Sequence, residues 1–188
     1  MIVPATTVSD VTVFARLADP RGNVFSLFQN NRTPERLQEF AEQGQEQMRK
    51  MAGRPVPGAY AWFEIGTTDA EATKDFYSRA FGWKIVFHDR AGGKPYSNIF
   101  TGNERPSGGM YDAGAVGVDR GDAADYLMPD FLVTDVPAAT ARARQLGATV
   151  EFGPDVNPDG SVCSRIIDSC GNRFGLFRAP TNTPQETA

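Results

Sequence analysis

WFEIGTTDAEATKDFYSRAFGWKI, residues 62–85, decides the fold, because MPDFLVTDVPAATARARQLGATV, residues 128–150, repeats it 66 residues further on. Each copy reads as a strand, a helix and the start of another strand. In the first, Thr68 and Glu71 have the spacing of a capping box and Gly82 stands where a helix stops. In the second, Asp135 is placed to cap, Pro137 fits the first turn and Gly147 ends the run. Phe76, Ala80 and Phe81, and then Val136, Ala139, Ala143 and Leu146, recur at helical spacing. Each helix is therefore expected to bury one face.

Outward from these copies the apolar runs are short and separated by Gly and Pro. KIVFHD (84–89), YSNIF (96–100) and GGMYDAG (108–114) follow the first helix; TVEFG (149–153), SVCSRIID (161–168) and RFGLFR (173–178) follow the second. The order is βαβββ twice, an α+β chain with modules at 58–115 and 125–178 forming one complete domain over 58–178.

A second repeat reaches the beginning of the chain: ARLADPRGNVFSLF (15–28) matches SRIIDSCGNRFGLF (164–177). Both read as a strand, a tight Asp-x-x-Gly-Asn turn and a strand. Residues 1–31 are thus an orphan β-hairpin resembling the end of another such module. A helical linker follows at 32–57, with Leu37, Phe40 and Met48 or Met51 toward protein, and 179–188 form a tail. An isolated hairpin is marginal in water, so IVPATTV, VTVFARL and VFSLF need a partner surface. Two origins stay open: the remnant of a two-domain protein, or an element packing in cis or across a dimer. Deleting residues 1–52 is expected to lower solubility.

Composition narrows the function classes. Formal net charge is -4, with 19 Lys plus Arg against 23 Asp plus Glu. No basic run exceeds two residues, which argues against nucleic-acid or membrane-surface partners. No transmembrane or secretory signal pattern is present, so the expected location is cytoplasmic. Cys163 and Cys170, the two cysteines, are read as structural thiols. No nucleophile elbow, P-loop or dinucleotide fingerprint occurs.

Two βαβββ units, each with Asp at the helix start, and a closing D-x-x-G-N-x-F-x-L-F hairpin resemble the vicinal-oxygen-chelate superfamily. This superfamily includes glyoxalases, bleomycin-resistance proteins and extradiol dioxygenases. AWFEIGTTDAEATKDFYSRAFGWK (61–84) is especially similar to its uncharacterised glyoxalase-like branch. The resemblance implies tandem modules forming a curled mixed sheet, an incomplete barrel, around a ligand cup, and pairing into homodimers. It also implies metal ligands at four positions, which this chain fills with Trp62, Met128, Gly175 and the segment Gly108-Gly109-Met110-Tyr111. None of these is a ligand for an ion that prefers nitrogen and oxygen donors, so no metal and no cofactor are expected.

Strand alternation puts Glu64 on the cup face with Trp62, and Asp130 with Met128. Two carboxyls in an apolar cup can divide acid and base roles. Against this stands a structural reading, in which Glu64 caps backbone donors or pairs with Arg165 or Lys84 and Asp130 sits near the rim. Trp62, Met128, Tyr96, Phe100 and Tyr111 are the candidate ligand contacts, and Tyr126 offers further aromatic surface. His88, the sole histidine, is either a solvated strand end or a base. The leading expectation is a metal-free protein that binds an apolar or aromatic small molecule. Behind it come a metal-independent isomerase, lyase or cyclase using Glu64 and Asp130, then a metal-dependent glyoxalase or dioxygenase.

Overall fold

The computed structural model describes residues 1–9, 12–39, 42–43, 57–88, 95–116 and 125–180, divided into two units, Met1–Pro55 and Val56–Ala188. In the first unit β1 (Val3–Ser9), β2 (Thr12–Ala18) and β3 (Val24–Asn30) form an antiparallel sheet in that order. The expected hairpin is β2–β3, with Phe14 opposite Phe28 and Leu17 opposite Phe25; β1 adds a third strand. Residues 34–39 and 42–43 are helical, and Leu37 is exposed rather than turned toward protein. Phe40, Met48 and Met51 lie outside the described residues.

The turn of this hairpin and its later copy share their hydrogen bonds. Asp19 Oδ1 accepts from Arg21 N and Asn23 N, and Asn23 Nδ2 donates to Asp19 Oδ2. Asp168 receives the same three bonds from Cys170, Asn172 and the Asn172 side chain. Gly22 and Gly171 have φ of 88° and 86°, the left-handed region that side chains resist. The sequence motif is thus a complete turn-forming device.

In the second unit β4 (Tyr60–Thr67) leads into α1 (Ala70–Phe81), β5 (Lys84–Phe87), β6 (Tyr96–Phe100) and β7 (Gly108–Asp112). The module then repeats as β8 (Tyr126–Leu132), α2 (Val136–Gln145), β9 (Thr149–Val156), β10 (Val162–Ile167) and β11 (Arg173–Arg178). The eight strands make one open mixed sheet, ordered β5-β6-β7-β4-β8-β11-β10-β9. The two opening strands meet antiparallel at its centre, flanked by parallel β7 and β11. Among the described residues no helix is long and apolar enough to cross a membrane.

Helix caps follow the sequence with one correction. The N-cap of α1 is Asp69, which accepts from Ala72 N at 3.1 Å; Thr68 instead donates its N–H to Asp125 at 3.0 Å and does not form the expected box. Gly82 closes α1 with φ 69°, and Asp135 caps α2 by accepting from Ala138 N at 2.9 Å. The buried faces are also shifted. Thr73 and Tyr77 are the buried residues of α1, and rings of Phe76, Phe81 and Trp83 cover that end of the core, leaving Ala80 exposed. In α2 Val136 and Thr140 are buried, whereas Leu146, just past the last turn, is 66% exposed.

Each helix covers its own core on one face of the sheet. Ile65, Tyr77, Ile85, Ile99 and Met110 form the first, and Val136, Val162, Ile166 and Leu176 the second. Burying each of these aliphatic side chains contributes about 1.5–3 kcal/mol. Much of the aromatic mass belongs here: Trp83 stacks on Tyr77 at 4.8 Å. Alternation then sends Trp62, Glu64, Tyr96, Tyr111, Met128, Asp130 and Arg165 to the opposite face.

Candidate ligand-binding cavity

On that opposite face lies a cavity of about 310 Å³. Its floor is the central strand pair, in which Trp62 opposes Asp130 and Glu64 opposes Met128. Tyr96 and Asn98 line one side, and Cys163, Arg165, Phe152 and Phe177 the other. The β9–β10 loop, residues 157–161, supplies Asn157, Pro158, Asp159 and Ser161 to the rim.

Arg165 organises the charges. It is 5% exposed, and its Nη2 donates to Glu64 Oε1 at 2.9 Å and to the Tyr126 hydroxyl. Tyr126 donates in turn to the same Glu64 oxygen at 2.5 Å, and the guanidinium carbon lies 4.2 Å from the Tyr126 ring centroid. Glu151 completes the group: it is 3.7 Å from Arg165 Nε and is gripped by Arg173 through two bonds of 2.9 and 2.7 Å. Arg165 Nε itself has no hydrogen-bond partner among the described residues. Burial pulls the Arg165 pKa down, but Tyr126, Glu64, Glu151 and Asp130 together outweigh burial and hold it above its usual range. Two carboxylates and two guanidiniums therefore balance one another in charge, although Arg165 Nε is left without a hydrogen bond among the described residues.

Asp130 is left out of this group. Burial first, and the Glu64 charge second, push its carboxyl up to about 8, against a smaller opposing pull from Arg165. Its position depends on a glycine: a Cβ at Gly175, its neighbour on β11, would overlap Asp130 Oδ1. The other half of the sheet has a matching arrangement. A Cβ at Gly109 would overlap the Tyr96 hydroxyl, which accepts from Trp62 Nε1 at 3.1 Å. Burial raises the Tyr96 phenol, and the Glu64 charge raises it further. Tyr126 is likewise raised, by burial and then by Glu64. Gly66 makes room for the Tyr126 ring in the same way.

Of the residues singled out in the sequence, Trp62, Glu64, Tyr96, Tyr111, Met128 and Asp130 are brought together around the cavity. Phe100 is not: it is the last residue of β6, two beyond Asn98, and lies past the cavity wall. His88 lines the mouth. Glu64 pairs with Arg165 and not with Lys84, which is exposed and lies opposite Phe100 on the sheet edge. Asp130 is half-buried in the cavity rather than at the rim. Sequence reasoning weighed Arg165 only as a partner for Glu64 and missed that it joins Tyr126, Glu151 and Arg173. Its signal was a charged residue at an inward position of the apolar run SVCSRIID.

The residues at the four positions where the resemblance implies a metal do not fit one. Trp62 and Met128 present an indole and a thioether, the segment Gly108-Gly109-Met110-Tyr111 carries no acid, His or Cys, with Gly109 leaving space for the Tyr96 phenol, and Gly175 leaves space that a single carboxyl occupies. The nearest other carboxylate, Glu64, is committed to Arg165 and Tyr126. Among the described residues no cluster of three or more His, Cys, Asp or Glu could hold an ion.

Comparison with known proteins agrees with this architecture. The sequence profile described as Glyoxalase/Bleomycin resistance protein/Dioxygenase superfamily matches residues 59–176. The anthracycline biosynthesis protein DauV of Streptomyces sp. (strain C5) is 48% identical over 141 residues, covering 66% of this chain and 48% of DauV. DnrV of Streptomyces peucetius, also described as an anthracycline biosynthesis protein, matches with the same identity and coverage. The chain therefore spans about half the length of these curated relatives. Among solved structures, the 2,3-dioxygenase LapB from Pseudomonas sp. KL28 superposes with a TM-score of 0.51 at 13% identity, covering 95% of this chain and 62% of LapB. At that identity the likeness is one of fold.

Proposed function

The chain belongs to the glyoxalase/bleomycin resistance protein/dioxygenase superfamily, and from that premise we propose that its cup binds a flat, oxygenated aromatic compound of the anthracycline type without using a metal. The observation that carries this reading is the exchange at the implied metal positions. The ring of Trp62, oriented by its bond to Tyr96, and the thioether of Met128 replace ligands with polarisable apolar surface. The Asp130 carboxyl fills the place that Gly175 vacates, which sets a polar group on the cavity wall where it can read a ligand oxygen atom. A concave site that combines aromatic and apolar surface with placed polar groups is the usual design for binding a small molecule. The kinship with DauV and DnrV supports the aromatic polyketide class of ligand.

A second reading, catalysis without metal, is favoured by the placement of Asp130: its carboxyl lines the cavity and is pushed up to about 8 by burial and then by the Glu64 charge. Such a group both gives and takes a proton at physiological pH. Glu64 is poorly suited to share that chemistry because Arg165 and Tyr126 occupy one of its oxygens. Any acid-base work in the cup then falls to Asp130 alone.

Titration of the chain with 1,8-dihydroxyanthraquinone tests both. Saturable quenching of tryptophan fluorescence, lost in Trp62→Ala but kept in Trp83→Phe, is the expected result. Recovery of unchanged quinone supports binding alone, and a new product that Asp130→Asn abolishes supports the second reading. Absence of any binding overturns the aromatic-cup assignment.

A further inference from the structure

The ionisable groups on the cavity wall are unequally available. Glu64, Asp130 and Asp159 are acidic; Arg165 and His88 are basic. Arg165 is spoken for, since Nη2 is shared by Glu64 and Tyr126 and Nε faces Glu151 at 3.7 Å. With its side chain 6% exposed, it has little surface to offer a ligand. Glu64 is the mirror case, neutralised by that same arginine. Asp159 has its Oδ1 bonded by Ser161 N at 2.9 Å and Ser161 Oγ at 2.6 Å, which holds its carboxylate on the rim. Asp130, by contrast, receives no hydrogen bond from the described residues and faces the cavity beside Gly175.

An entering anion would meet the Asp159 carboxylate at the rim, and the one buried arginine on the wall is already balanced by Glu64 and Glu151. In a cavity with apolar walls such unpaired charge is costly. A carbonyl, quinone or phenol oxygen placed at Asp130 meets a donor instead, because burial and the Glu64 charge keep that carboxyl largely protonated at neutral pH. A cationic substituent reaching the rim meets Asp159. Resting on the aromatic-cup reading, we infer that the cavity selects ligands by charge sign: neutral or cationic aromatics that present an acceptor oxygen to Asp130 are taken, and carboxylates, sulfonates and phosphates are refused.

The test holds the ring system constant and varies the charge. 1,8-Dihydroxyanthraquinone, anthraquinone-2-sulfonate and an aminoalkyl-substituted anthraquinone are titrated at pH 7 against the full chain and against Asp130→Asn and Asp130→Leu. The sulfonate is expected to bind at least about tenfold more weakly than the neutral compound, and the cation within about threefold of it or more tightly. The cationic arm separates charge sign from a general cost of desolvating charge, because that cost would weaken both ions. Asp130→Asn, which still donates a hydrogen bond, keeps the neutral ligand within about threefold; Asp130→Leu loses about tenfold.

Equal binding of sulfonate and neutral quinone overturns the inference and leaves the aromatic cup standing. So does equal rejection of both ions, or full affinity in Asp130→Leu. Failure of all three quinones to bind removes the cup assignment and this inference together.

Discussion

Asp130 and Gly175 share one volume: they are paired across β8 and β11, and the carboxyl of the first occupies the space that a side chain at the second would need. A residue 45 positions away in sequence thus decides whether the acid can face the cavity. Gly175→Ala is expected to push Asp130 off its position, costing about 1–3 kcal/mol of stability by overpacking. Quinone affinity should fall in parallel. Urea denaturation and ligand titration of the variant check both, and unchanged values for each would show that the carboxyl relocates freely.

Arg165 ties together residues from four strands, so its removal is expected to exceed the effect of removing any one partner. Arg165→Met leaves Glu64 without its cation and Glu151 with Arg173 alone, and should cost about 3–5 kcal/mol. Glu64→Gln keeps an acceptor for Tyr126 and should cost less. A double-mutant cycle between these two by chemical denaturation should show coupling of at least about 1 kcal/mol. Additive losses would mean that the 2.9 Å contact adds no stability.

Stability should depend on pH through Asp130. Its carboxyl is raised from an ordinary 3.8 to about 8 in the fold by burial and the Glu64 charge. The folded state therefore holds the proton more tightly than the unfolded chain. This contribution is fully present below about pH 4, declines as pH rises and is gone above about pH 8. The charged or titratable groups acting with Asp130 are Glu64 and Tyr60 on β4, Tyr96 on β6 and Arg165 on β10. Asp130→Asn has no proton to lose. It should gain stability relative to the parent between about pH 4 and pH 8, measured by urea midpoints, and parallel curves would contradict the assignment.

Trp62 is held by a single polar bond, 3.1 Å from Nε1 to the Tyr96 hydroxyl. Tyr96→Phe removes that acceptor at modest cost, about 0.5–1.5 kcal/mol in stability. The indole should then lose its fixed orientation, seen as lower tryptophan fluorescence anisotropy and as quinone affinity reduced by about threefold or more. An unaltered anisotropy would show that packing alone orients the ring.

Helix caps give a test independent of the cavity. Asp69→Ala and Asp135→Ala each delete one bond to a first-turn N–H, at 3.1 and 2.9 Å. Each should lower stability by about 1 kcal/mol and leave ligand affinity unchanged. A loss of affinity from either would mean that the helices, on the far face of the sheet, shape the cup directly.

The βαβββ repeat was legible because it is written in local terms. Strands at Tyr96–Phe100 and Arg173–Arg178 have the bounds that alternation and turn residues indicated, and Asp135 and Gly82 cap as expected. Where local rules competed, the reading slipped: Thr68 and Asp69 both suit an N-cap, and Asp125, distant in sequence, drew Thr68 away. Leu146 falls just past the end of its helix, and Ala80 is turned outward because the buried face of α1 runs through Thr73 and Tyr77 instead.

The sequence by itself determined which residues alternate toward the cup, since side-chain period along a strand is a property of the backbone alone. It placed Trp62 beside Glu64 and Met128 beside Asp130. Only the tertiary structure decided that Arg165, 101 residues from Glu64, would neutralise that carboxyl and leave Asp130 alone. That choice depends on how β10 and β11 are set against β8 and β4. A shift in the β11–β8 pairing would move Gly175 away from Asp130, and with it the charge balance of the cavity.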